Sequence, residues 1–389
     1  MFEEIRFWED TYIMRYYRRR NLIITRGFMQ YVWDVNDVKY LDCNTCYGVA
    51  FLGHRNPKIV EVVKQQLDKI LVTPLTFYND ARALFLEKFS KLLPAGFGKI
   101  ILQNSGTEAV EVALKLARKV TRRSGFLAFV NSFHGRTFGS LSVTGNEKYR
   151  RAFEPLIPGV KFARFNITHD LDKLVTEDLA AVVVEPIQGE GGVNVATYDF
   201  MRELRKLTTE RGVLLIIDEV QTGLGRTGKL WAFQHYNIEP DIFTVGKALA
   251  GGLPIGVTII KREFGDVFEH GEHGSTFGGN PLVMAAAAAT CELIISEDIP
   301  IKVRQVSQVL IKNLEDLTAR LRTVLRVKGM GLMLGLELRK PAEYFVDRLI
   351  EEKILALHAG INTLRLLPPY CITNDDINYL ISSLERVLK

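Results

Sequence analysis

At 389 residues, with 47% apolar, 24% charged and 10% aromatic side chains, the chain has the composition of a globular protein. At about 100–200 residues per domain, about two domains are expected. The formal net charge of +5 (50 Lys and Arg against 45 Asp and Glu) is too mild to mark a nucleic-acid binder. No apolar run reaches the about 18–20 residues of a membrane span.

The N-terminal stretch MFEEIRFWED carries acids where a signal peptide has bases, so a cytoplasmic setting is expected. The four cysteines are then expected to be reduced thiols. Cys43 and Cys46 form one CxxC, but a structural zinc site needs a second ligand pair, so no metal is expected.

Residues 1–44 show no regular alternation of strand and helix. Short, continuous, β-branched runs follow at 100–103, 126–130, 161–165, 180–185, 213–218, 242–246 and 256–260. Such runs suit strands covered on both faces of a mostly parallel sheet. Helical patterns lie between them, at 108–123 (apolar Val112, Leu114 and Leu116 among charges) and 198–211. This alternation predicts an α/β fold, a doubly wound seven-stranded sheet with helices on both faces. Beyond residue 281, long helices at 282–296 and 299–321 take over, then a strand pair at 324–328 and 332–338, then two more helices. The expected division is a large sheet domain over 45–292 and a smaller α+β domain built from 1–44 and 293–389.

In open parallel sheets, ligands sit beyond the carboxyl ends of the strands, so the residues there carry the chemistry. After the run at 100–103 comes NSGTEAVE (104–111), where Ser105, Gly106 and Thr107 open a helix. Free N–H groups and the helix dipole at that point suit a phosphate, although an ordinary N-cap reads the same way. The next sheet-end block places Glu185 at a strand end and Glu190 in a Gly-flanked loop (VEPIQGEGG, 184–192). Asp218 follows a five-residue apolar stretch and opens DEVQTGLGRTG (218–228), with Glu219, Val220 and Gln221 beside it. A carboxylate there needs a cation or it costs several kcal/mol. Arg226 is nearest in sequence but lies in a mobile-looking Gly-rich loop, so Asp218 reads either as a partner for a ligand cation or as a plain strand-end cap.

Lys247 follows Asp218 by 29 residues, the span of one strand–helix–strand crossover, and directly succeeds a strand. Both should share one sheet edge. A desolvated Lys there can act as a nucleophile. A phosphate cradle, a buried Asp and a nucleophilic Lys together point to pyridoxal phosphate (PLP), with the Asp keeping the pyridinium nitrogen protonated.

With these residues in hand, the chain resembles the class-III, fold-type-I PLP aminotransferases. The blocks that carry the resemblance are NSGTEAVE, FHGRTFG (133–139), the run from Asp218 to Gly256, and GSTFGGNP (274–281). The resemblance implies that Lys247 is the Schiff-base lysine and proton shuttle, and that Asp218 pairs with the pyridinium nitrogen. Gln221 then meets the ring hydroxyl, Phe133 and Val220 sandwich the ring, and Ser105, Gly106 and Thr107 hold the phosphate. Glu219 is counted with the cofactor group. Thr276 would reach the phosphate of the partner subunit's cofactor, which implies a homodimer with shared active sites.

Within the class, HGRT and GINTLRLLPP (360–369) look most like the acetylornithine and carrier-linked lysine/ornithine aminotransferases. By that resemblance Arg136 clamps the distal carboxylate of 2-oxoglutarate, Arg365 receives the α-carboxylate of glutamate, Glu190 gates Arg365, and Ser275 contacts substrate. Bidentate Arg–carboxylate pairing makes Lys a poor substitute at either arginine. Tyr47 falls where ornithine aminotransferases place a substrate-binding tyrosine, so an enzyme of free ornithine or 4-aminobutyrate is a competing reading. The run RYYRRR (15–20) is either a solvated face or a docking patch for an acidic amino-group carrier protein. A basic nucleic-acid-binding protein with a degenerate enzyme core is the remote alternative.

Overall fold

The computed structural model describes residues 1–389. The chain opens with α1 (Phe2–Tyr12), a helix with no buried residue, and the antiparallel strands β1 (Ile24–Phe28), β2 (Tyr31–Asp34) and β3 (Lys39–Asp42). All seven β-branched runs are strands of one sheet. They are β4 (Phe97–Gln103), β5 (Gly125–Phe129), β6 (Val160–Ala163), β7 (Leu179–Val184), β8 (Leu214–Asp218), β9 (Ile242–Gly246) and β10 (Gly256–Lys261), in the spatial order β4-β10-β9-β8-β7-β5-β6.

Side chains alternate between faces along each strand, and two helices cover those faces. Leu214 and Ile216 of β8 pack in one apolar cluster with Val110, Ala113 and Ala117 of α2 (Gly106–Thr121). Leu215 and Ile217 pack in another with Phe200 and Leu204 of α3 (Tyr198–Glu210). Each Leu, Ile, Val or Phe among them contributes about 1.5–3 kcal/mol when fully buried.

Two connections differ from the sequence expectation. The crossover from β8 to β9 carries only a 3-10 turn, Ala232–Tyr236, in place of a full helix, yet the strands pair in parallel with Asp218 opposite Thr244. β10 runs antiparallel to both its neighbours. The stretch from Lys247 to Ile255 holds one 3-10 turn (Lys247–Ala250), too short for a parallel return, so the chain reverses.

The Ala-rich helix α4 (Pro281–Ser296) packs against that Lys247–Ala250 turn, its small side chains allowing close approach. Helix α5 (Ile299–Arg320) follows, with strands β11 (Val324–Met330), β12 (Met333–Leu338), β13 (Ile354–Leu355), β14 (Leu357–Ala359) and β15 (Thr363–Leu366). β13 pairs in parallel with β3, tying the two ends of the chain together in the sheet β1-β2-β3-β13. The other late strands form the sheet β11-β12-β15-β14, which places Arg365 opposite Gly335. No helix is long and apolar enough to cross a membrane.

Candidate active site

The carboxyl ends of the strands frame a cavity of about 300 Å3, with Thr107, Phe133, Glu185, Glu190, Asp218 and Lys247 in its wall. One end is the start of α2. Ser105 is the N-cap and its Oγ accepts from Glu108 N (3.3 Å), while the Glu108 carboxylate accepts from Asn104 N (3.1 Å) and Ser105 Oγ (2.7 Å). This reciprocal cap leaves the N–H groups of Gly106 and Thr107 at the helix tip for an anion. A Cβ at Gly106 would lie 2.7 Å from Val220 Cγ1, so only glycine lets the cradle close on the Val220 wall.

At the far end of β8, Asp218 Oδ2 accepts from His134 Nδ1 at 2.8 Å, and Oδ1 accepts from Thr244 Oγ1 and Val220 N, each at 3.1 Å. The His134 side chain is fully buried and its Nε2 has no partner, so Nδ1 carries the proton to Asp218. Burial opposes the charged imidazole, but the hydrogen bond and charge of Asp218 outweigh it and the His134 pKa is raised. His134 is the residue that sequence reasoning missed. It stands inside the FHGRTFG block, but nothing in the sequence joins it to Asp218, 84 positions away. The expectation about Arg226 is also corrected. It is 1% exposed, and its guanidinium donates to backbone carbonyls, not to Asp218.

Lys247 sits in left-handed backbone (φ 46°) just past β9 and reaches the same cavity. Burial pulls its amine down from 10.5 to about 8, with Glu190 resisting and Arg365 reinforcing the shift. The neutral, nucleophilic form is therefore available near neutral pH. Glu185 accepts from Phe133 N (2.9 Å) and Gly189 N (3.3 Å), and burial lifts its carboxyl to about 7. Glu219, which the resemblance groups with the cofactor residues, turns its carboxylate away from the cavity. It is 1% exposed, outside the cavity wall, and its carboxylate accepts from Phe233 N (2.9 Å) and Thr222 Oγ1 (2.5 Å), bracing the loop after β8.

The residues that the resemblance assigns to substrate form a second group. Arg365, buried in β15, places Nη2 2.7 Å from Glu190 Oε1, and its Nη1 donates to Gln221 Oε1 at 3.5 Å. Arg365 Nε and Nη2 have no partner in hydrogen-bonding geometry, so donors remain for a carboxylate. Burial disfavours the charged form of Glu190, yet Arg365, with Lys247 and His358 adding, holds its carboxyl below the ordinary value. The Tyr47 ring lies 5.9 Å from the Arg365 guanidinium, and Gln221 Nε2 donates to Tyr47 O at 3.2 Å. Arg136 is at the cavity rim, its guanidinium 3.8 Å from the Tyr149 ring centroid. Ser275 and Thr276 lie outside the cavity wall. Ser275 Oγ accepts from Asn104 Nδ2 at 3.0 Å, and Thr276 is exposed.

In RYYRRR, Arg18 pairs with Glu343 (2.6 Å) and Asp347 (3.0 Å), Arg19 with Asp10 (2.9 Å), and Arg20 with Asp347 (3.0 Å). These arginines line an open hollow of about 800 Å3 along α1.

A lowered amine, a carboxylate held by an imidazole, a helix N-terminus and apolar walls at Phe133 and Val220 fit pyridoxal phosphate. The comparisons agree. The class-III aminotransferase family matches residues 12–388. A Pyrobaculum aerophilum protein, provisionally named a [LysW]-aminoadipate semialdehyde/glutamate semialdehyde transaminase, is 58% identical over 377 residues, 97% of this chain and 98% of its own. The Sulfolobus acidocaldarius [LysW]-aminoadipate semialdehyde/glutamate semialdehyde transaminase is 48% identical over 94% of both chains. The Aquifex aeolicus acetylornithine aminotransferase is 42% identical over 97% of this chain and 100% of its own. Among solved structures, the ornithine aminotransferase of Toxoplasma gondii superposes with a TM-score of 0.95 at 28% identity, covering 100% of this chain and 95% of that one.

A fold-type-I sheet with a lysine and an aspartate at adjacent strand ends is that of a PLP-dependent aminotransferase. The chain belongs to the class-III aminotransferases.

One test follows from Lys247. Reloading of the apoprotein with the cofactor should speed up as pH rises, with a midpoint near 8, because only the neutral amine attacks an aldehyde. Stopped-flow absorbance across pH 6–10 would read this; a midpoint near 10.5 would show that burial does not tune Lys247.

Proposed function

We propose that the protein is an ω-aminotransferase of lysine and arginine biosynthesis, working in the cytoplasm as a homodimer. It moves the terminal amino group of a lysine or ornithine, blocked at its α-nitrogen through a γ-glutamyl link to an acidic carrier protein, to 2-oxoglutarate. The observation that carries this reading is the ion pair between Glu190 and Arg365 beside Lys247. A paired Arg365 is screened while a terminal amine is bound, and a released one receives the α-carboxylate of glutamate. One pocket can then take two unlike substrates.

The bound cofactor would supply an electron sink for the carbon that bears the amine. The chain's residues do the rest. Asp218, oriented by His134, Thr244 and its own loop, would hold a proton at the cofactor's ring nitrogen, and Gln221 would serve the ring hydroxyl. Lys247 moves the proton at the reacting carbon. Gly106, Thr107 and the tip of α2 hold the phosphate, and Arg136 takes the distal carboxylate of 2-oxoglutarate.

The dimer reading is supported by Phe77, Phe138 and Phe277, which are 66%, 65% and 62% exposed in one chain, and by Thr276 beside Phe277. It assigns residues 45–292 to a cofactor domain and 1–44 with 293–389 to a smaller one. The carrier reading is supported by 58% and 48% identity to two [LysW]-named relatives, against 42% to the acetylornithine enzyme. Exposed ion pairs such as those of Arg18 and Arg20 are weak and screened by water and salt, so a carrier's carboxylates can displace Glu343 and Asp347.

The test compares kcat/KM for carrier-linked lysine, acetylornithine and free ornithine at low and high salt. The carrier-linked donor should lead by at least about tenfold, with the lead shrinking as salt screens the arginines. A salt-indifferent preference for acetylornithine would overturn the carrier. A preference for free ornithine would instead assign Tyr47, beside Arg365, to the donor's α-amino acid end.

A further inference from the structure

The turn that presents Tyr47 is held in disfavoured backbone. Thr45, Cys46, Tyr47 and Gly48 have φ of 47°, 51°, 56° and 94° in succession. Left-handed backbone is disfavoured for residues with a Cβ, and it persists where surroundings over-determine it. Here the restraints are explicit. Asp42 Oδ1 accepts from Asn44 N (2.8 Å) and Thr45 N (2.9 Å), and Thr45 Oγ1 donates to Leu367 O at 2.7 Å. Gln221 Nε2 donates to Tyr47 O, and Arg226 Nη2 donates to Gly48 O at 3.1 Å.

Arg226 does more than close that turn. Its Nη1 donates to Pro368 O at 2.8 Å and to Leu332 O at 3.1 Å, and its own carbonyl accepts from Leu332 N at 2.9 Å. The guanidinium lies 4.2 Å from the Phe51 ring centroid, and no carboxylate pairs with it. Pro368 is three residues past Arg365, and Leu332 directly precedes β12, the strand paired with Arg365. One planar fork therefore joins three segments: the Tyr47 turn, the approach to β12 and the end of β15. The fork itself stands on the loop that begins at Asp218 and Gln221.

We propose that Arg226 is the positioning residue of the substrate end of the site, setting Arg365 and Tyr47 at their distance from the Asp218–Gln221 loop. It thereby governs recognition of the α-carboxylate substrate without touching substrate or cofactor. This rests on Arg365 being the carboxylate receiver. Lysine cannot substitute, because one ammonium on a flexible stem does not reach three separated carbonyls as a planar guanidinium does.

The test uses holoenzyme of Arg226→Lys and Arg226→Met. Glutamate KM should rise at least about tenfold, the scale of a lost hydrogen bond to a charged group. The kcat should stay within about threefold of the wild type, and the bound cofactor's absorbance and Kd should be unchanged. Unchanged glutamate KM, or a loss of cofactor affinity that parallels the loss of activity, would overturn the proposal. Should neither variant fold, Thr45→Val removes the neighbouring tether to Leu367 O while keeping side-chain shape. It must then show the same selective rise in KM, and an unchanged KM overturns the proposal. Arg365→Lys is the control: if it leaves glutamate KM unaltered, the carboxylate assignment fails and not the role of Arg226.

Discussion

Lys247→Ala is expected to lower turnover by about 10⁴-fold or more, because one substitution removes two functions of the same amine. It removes the amine that burial has brought down to about 8, and with it the base that the proposed mechanism assigns to the reacting carbon. General base catalysis alone contributes about 10²–10⁴-fold. The rest of the site should survive the change. The tip of α2 and the Asp218–His134 pair do not depend on the Lys247 side chain, so the variant should still bind the cofactor, with an altered absorbance band. A small primary amine added to the buffer should restore part of the rate, since the truncated side chain leaves room beside Glu190 and Asp218. Single-turnover absorbance with glutamate would measure this. A variant turning over within tenfold of the wild type would remove Lys247 from the chemistry altogether.

Much of this site could be read before any coordinates, for a physical reason. Strands covered on both faces must be apolar throughout, so LAAVVV and LLIID announce themselves, and the first polar residues beyond them mark the sheet edge. Asp218 and Lys247 are such residues, and the length between them forces a parallel return. Arg365 and Glu190 are separated by 175 positions, and only their resemblance to family motifs suggested that they meet. The contacts that stayed hidden are tertiary ones. His134 meets Asp218 because β5 and β8 flank β7 in the sheet, an order that strand-forming patterns do not encode. Arg226 looked mobile among its glycines, but its acceptors are carbonyls of Gly48, Leu332 and Pro368, and carbonyls leave no trace in side-chain chemistry. Glu219 follows Asp218 directly, but successive residues point opposite ways where a strand ends, and its carboxylate faces Phe233, a direction that the motif does not show.

Arg365→Ala should divide the two half-reactions. For glutamate, the variant loses donors to the α-carboxylate, and charge-assisted bonds of about 1.5–3 kcal/mol imply a fall in kcat/KM of about 10–150-fold. For the amine donor the same side chain is screened by Glu190 at 2.7 Å, so its loss should change donor kcat/KM by no more than about threefold. Glu190 itself changes character. Burial is the largest influence on its carboxyl and pushes upward, and Arg365 is the first of the groups that oppose it. Without that arginine the carboxyl titrates higher, so the donor half-reaction should gain a pH dependence on the acid side that the wild type lacks. Fold stability also suffers, because Glu190, only a quarter exposed, is left without its buried partner. Comparison with Arg365→Lys, which keeps the charge, separates that loss from recognition. Pre-steady-state rates of each half-reaction, taken below the variant's melting temperature, give the answer. An equal fall in both half-reactions would mean that Glu190 and Arg365 form a structural pair, and that the pocket distinguishes its two substrates by some other means.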